Sequence, residues 1–109
     1  MTNSTCDWPG ATGKSYTYYV HPISELNTFN PNQAGNYIFA KLDTNNLWDP
    51  VYVGQTEDFK ERFGDHEKLL CATRNGATHI HLHINNSAHD RIQEETDIRH
   101  NFTTPCNMQ

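Results

Sequence analysis

Apolar positions fall into two rhythms along the chain. "GNYIFAKL" (35–42) and "VYVGQT" (51–56) are short runs of β-formers. "DTNNLWDP" (43–50) between them is turn material, so the pair reads as an antiparallel hairpin with a long loop. "THIHLHIN" (78–85) alternates strictly, as a half-buried strand does. Ile80, Leu82 and Ile84 form its apolar side, and His79, His81 and His83 a polar, exposed one. "SYTYYVHP" (15–22) has the Tyr and Val content of a further strand that Pro22 stops.

The helical rhythm occupies "EDFKERFGDHEKLLCATR" (57–74) and "SAHDRIQEETDIRHNF" (87–102). Asp58 and Glu61 are spaced as a capping box for the first, and Ser87 is a cap for the second. "PISELNTF" (22–29) suits a short helical turn, "NPNQAG" (30–35) a loop, and residues 1–14 a loose start. The order β-β-α-β-α predicts an α+β domain. Its small antiparallel sheet has three strands, or four if residues 15–21 join, with helices packed on it. Residues 1–34 read as an N-terminal extension.

Placing residues 57–74 at roughly 100° each puts Phe59, Arg62, Phe63, His66 and Leu70 on one face. Arg62 and His66 thus lie one turn apart within an apolar stripe. They read either as an arginine snorkelling from the stripe edge with a satisfied core histidine, or as a site. A buried arginine needs an anion, and phosphate is one that a guanidinium grips with two bonds. In the last helix Ile92, Glu95, Ile98 and Phe102 share a face with Glu94 at its margin, so Glu95 is the carboxylate aimed inward. It is either half of an ion pair or a ligand for a divalent cation.

Composition narrows the classes. A chain of 109 residues suits one domain. A formal net charge of −5 argues against a general nucleic-acid coat protein while leaving room for a local basic patch. No apolar run approaches the ~20 residues of a membrane span, and the start "MTNSTCDWPG" has neither the basic nor the apolar part of a signal peptide. Cys6, Cys71 and Cys106 are odd in number and far apart, which predicts reduced thiols and a cytoplasmic setting.

"GNY", then "YVG", then Arg, His, Glu and Asn in order resembles the GIY-YIG nuclease family. The match runs from Gly35 to Asn107, and the resemblance makes residues 35–109 a GIY-YIG-like nuclease domain. It implies that Tyr37 and Tyr52 are the two motif tyrosines. Arg62, in "TEDFKER", follows in the family's T-x-D-[LF]-K-x-R context, and His66 sits one turn on, where the family has His or Tyr. Glu95 matches the metal-binding glutamate, and Asn107, in "TTPCN", the terminal asparagine. Gly54, Gln55 and Lys60 would lie against substrate. The implied activity is hydrolysis of DNA phosphodiesters with one Mg²⁺ or Mn²⁺ on Glu95. Arg62 would clamp the phosphate, Tyr37 or Tyr52 would be the general base, and His66 would accept the phenolic proton. DNA is then the partner, and a second protein or another copy of the chain would supply DNA affinity.

Two other readings stand beside this one. A domain of the same fold with weak catalysis would bind DNA or a protein. A metal hydrolase would use the His79–His81–His83 ladder, although same-face residues ~6.6 Å apart along a strand close poorly around one ion.

Overall fold

The computed structural model describes residues 4–107. Five strands form one antiparallel sheet, curled like half a barrel. They are β1 (Thr5–Pro9), β2 (Ser15–Pro22), β3 (Gly35–Leu42), β4 (Trp48–Thr56) and β5 (His79–Ile84), in the order β1-β2-β5-β3-β4. Three helices, α1 (Phe59–Gly64), α2 (Leu69–Arg74) and α3 (Ala88–Asn101), complete the fold, with 3-10 turns at Ile23–Glu25 and Pro105–Asn107.

This corrects the expected sheet of three or four strands flanked by helices. The β3–β4 hairpin, β5 and β2 lie where patterning places them, but "TCDWP" is a fifth strand rather than loose chain. It pairs with β2 in the register Cys6↔Tyr18 and Trp8↔Tyr16, and Trp8 is buried. One large aromatic at Trp8 anchors a segment whose other residues are mostly polar.

The single helix expected over 57–74 is two. Asp58 caps α1 by accepting from the Glu61 amide at 3.2 Å, and the helix ends at Gly64. A glycine costs roughly 1 kcal/mol of helix propensity relative to alanine. Beyond it the His66 ring turns inward, and its Nδ1 accepts from the Lys68 amide at 3.0 Å, so the chain bends before α2. Leu70, assigned to the inner face by unbroken helical spacing, is exposed as a result.

The sheet is covered on both sides. On β3, Tyr37 and Phe39 face α1 and α2 in a core with Phe59, Phe63 and Ile80. Ile38 and Ala40 alternate with them and face α3, packing with Val53, Trp8, Tyr18 and Ile98. The histidine side of β5 is on this second face. It is therefore not an exposed polar row: His81 is fully buried, because Trp8 of β1 and Trp48 of β4 pack against its ring.

Cys71 and Cys106 form a disulfide that ties α2 to the C-terminal turn. This replaces the expected pair of reduced thiols and removes the ground on which they suggested a cytoplasmic setting. Among the described residues no helix is long and apolar enough to cross a membrane.

Candidate functional site

β3 and β4 bring the two motif tyrosines to one face. Tyr37 stands opposite Gly54, and its ring centroid is 6.1 Å from that of Tyr52. Gly54 leaves the room that the two rings need, because a Cβ there would fall 2.6 Å from the Tyr37 hydroxyl and 2.9 Å from the Tyr52 ring. α1 then carries Arg62 to this point, and the bend after α1 carries His66. The Tyr37 hydroxyl and His66 Nε2 are 2.7 Å apart, although 29 residues separate them in sequence.

The direction of that bond follows from the ring's other nitrogen. Nδ1 accepts from the Lys68 amide, so in the neutral ring the proton sits on Nε2 and is donated to Tyr37. Burial, then the charge of Arg62, pushes the His66 pKa down to about 4, which keeps the ring neutral. His66 is thus a donor to the phenol oxygen rather than the acceptor of its proton. Burial, then Tyr52, pushes the Tyr37 hydroxyl well above its ordinary range, and the nearby Arg62 charge pulls it the other way.

Arg62 is a quarter exposed and its fork is occupied. Nη1 and Nη2 donate to the two carboxylate oxygens of Glu67 at 3.0 and 3.1 Å. A cleft of about 670 Å³ opens beside it, lined by Glu57, Asp58, Glu61 and Asp65 among others.

The remaining candidates are distributed around this core. Asn107 lies along β4, where its side chain accepts from the Val53 amide at 2.8 Å and donates to the Val53 carbonyl at 2.9 Å. It braces the edge strand between Tyr52 and Gly54. Lys60 is exposed on α1. Gln55 alternates to the other face, where its Oε1 accepts from Arg91 Nε at 3.0 Å.

Glu95 also belongs to that other face's helix, α3. Burial raises its pKa, and Arg99 partly offsets the rise. Ile92, expected beside it on the inner face, is exposed instead. The inward stripe of α3 is Arg91, Glu94 and Ile98, three and four residues apart. Glu94 accepts from the Tyr18 hydroxyl at 2.5 Å and from His83 Nδ1 at 2.9 Å. Arg91 donates to Gln55 and to the Asn85 carbonyl. Patterning misses both because it assigns polar residues to the outer side of a helix.

The histidine ladder is divided among separate partners. His79 contacts the Thr78 hydroxyl at 2.8 Å, His83 binds Glu94, and His81 Nδ1 accepts from the Trp8 indole N–H at 3.0 Å. Burial pushes His81 down to about 3. Among the described residues no group of three or more His, Cys, Asp or Glu converges as metal ligands. A single carboxylate with several waters is a coordination that Mg²⁺ accepts, and Glu95 is a half-buried carboxyl of that kind. No protein-family model, curated protein or solved structure matches the chain.

Proposed function

We propose that the chain is a divalent-metal-dependent endonuclease that hydrolyses DNA phosphodiester bonds at a single GIY-YIG-type site. The observation that carries this reading is the Tyr37–His66 hydrogen bond beside Arg62 and Tyr52, which unites residues of β3, β4, α1 and the following bend. Buried tyrosines are common in sheets. A phenol that receives a histidine N–H and sits next to a guanidinium is placed for charge chemistry.

Phosphodiester hydrolysis needs an activated water, relief of phosphate charge and help for the leaving oxygen. Arg62 grips two non-bridging phosphate oxygens with its fork. Tyr52 is partly exposed and is the phenol that meets water, whereas Tyr37 is buried and holds the His66–Arg62 arrangement in place. The His66 N–H and the Arg62 charge both favour negative charge on the Tyr37 oxygen. Asn107 holds both backbone groups of Val53 and so fixes β4 between Tyr52 and Gly54. Glu95 would hold the Mg²⁺ or Mn²⁺ ion that supplies charge relief; it stands on α3, against the other face of the sheet from Tyr37 and His66, so this role rests on the family pattern and not on contact with Arg62.

A second reading has its own support. The acid-lined cleft and the filled Arg62 fork suit a domain of weak DNA affinity that works as a binding module or relies on a partner protein or second copy. Cleavage of plasmid and branched DNA in Mg²⁺ or Mn²⁺ separates the two, and low salt is essential because phosphate contacts weaken steeply with ionic strength. Under the nuclease reading, Glu95→Ala abolishes cleavage and keeps the fold. Arg62→Ala lowers the rate about 100-fold or more, the usual loss when a preorganised transition-state donor is removed. Wild-type protein inert on duplex, single-stranded and branched DNA at low salt selects the binding module.

A further inference from the structure

We propose that Glu67 is an internal stand-in for the substrate phosphate, which closes the Arg62 anion site until substrate displaces it. This deepens the reading of Arg62 as a phosphate clamp and rests on it. The geometry is that of a ligand rather than of a loose surface pair. Both terminal guanidinium nitrogens meet both carboxylate oxygens, at 3.0 and 3.1 Å, the side-by-side fork with which arginine also takes phosphate.

The chain is shaped to bring Glu67 there. In one continuous helix, residues 62 and 67 are five apart, roughly 140° around the axis from each other. Only the bend after Gly64, with His66 turned inward, brings the carboxylate back over Arg62. One short segment therefore supplies the histidine that holds Tyr37 and the carboxylate that covers the guanidinium. Glu67 itself is 68 % exposed, so a competing anion reaches it from solvent. The Arg62 bond holds its carboxyl below the usual carboxylate range, so it is charged at neutral pH.

The two roles open to Glu67 predict opposite results. A residue that merely orients Arg62 for substrate helps anion binding. A stand-in hinders it. Inorganic phosphate titrated into the full chain, with the NMR signals of Arg62 Nε–H and the His66 ring as readouts, distinguishes them without cleavage. Glu67→Gln and Glu67→Ala are expected to raise phosphate affinity about fivefold, the scale of one exposed ion pair, and Arg62→Ala added to either removes the gain. Thermal melting checks that both single variants keep the fold, and the exposed position of Glu67 makes that the expected result. Unchanged or weaker phosphate binding in both variants overturns the proposal. Protein that gains phosphate affinity but cuts no DNA keeps the stand-in and rejects the nuclease. Active wild type with no gain in either variant does the reverse.

Discussion

His66 and His81 are both held neutral by burial, one against Tyr37 and one between Trp8 and Trp48. Their folded pKa values, about 4 and about 3, lie below the ordinary 6.5. Between those limits the unfolded chain binds more protons than the folded one, so this share of stability is complete above pH 6.5 and is lost as pH falls. His83 acts in the opposite sense. Glu94 raises its pKa, so its contribution is present at low pH and is lost as pH rises through the raised value. Asp58 and Glu67, whose pKa values are lowered, give up their share below the usual carboxylate values. Glu95, raised by burial, acts in the same sense as His83, but the two buried rings carry the larger shifts, so the urea midpoint is expected to fall from pH 6.5 to pH 4. His81→Asn should be less stable at neutral pH and show a shallower slope. A level midpoint across that window in the wild type contradicts neutral burial of the two rings.

The C-terminal turn owes its place to the Cys71–Cys106 bond and in turn places Asn107 on β4. The bond closes a 35-residue separation, and chain-entropy reasoning assigns such a loop about 3–4 kcal/mol. Reduction, or Cys71→Ser with Cys106→Ser, is expected to lower stability by that order and to speed hydrogen exchange at the Val53 amide, which Asn107 otherwise covers. Loss of global stability with Val53 still protected would show that Asn107 holds β4 without the clip. The disulfide was not legible because spacing cannot say that residue 71 ends beside residue 106. β-patterning found β2 to β5 because their tyrosines, valines and isoleucines alternate or cluster as pleated strands require. Helical patterning found α3 and put Ile98 and Phe102 inward, but it set Ile92 inside and missed the polar part of the buried side. Beside Ile98, its buried side is made of Arg91, Glu94 and Asp97, each with a polar partner on the sheet or the β1–β2 turn, and an apolar criterion cannot see those polar members. The ordered motif did lead to Tyr37, Tyr52, Arg62 and His66 in one place, since each has a long-range neighbour in that order. Glu67, which fills the arginine fork, was hidden by treating the bend as helix.

Residues 4–34 enter the same sheet as the candidate site, and the join is at β2 and β5. Trp8 makes the most specific link, because its indole N–H is the partner of His81 Nδ1 and its ring packs on Phe102 at 5.5 Å. Trp8→Phe keeps most of the aromatic volume but leaves that buried acceptor without its donor, a loss of about 1–3 kcal/mol. In a domain of typical marginal stability that is a large fraction of the total. Because β5 sits between β2 and β3, the loss should spread to the strands that carry Tyr37 and Tyr52. The expected result is one urea transition, shifted to lower midpoint, with faster amide exchange at Ile38 and Val53 as well as in β1. If β3 and β4 keep their protection while β1 and β2 lose theirs, residues 1–34 and 35–109 are separable units, and the candidate site stands without the N-terminal hairpin.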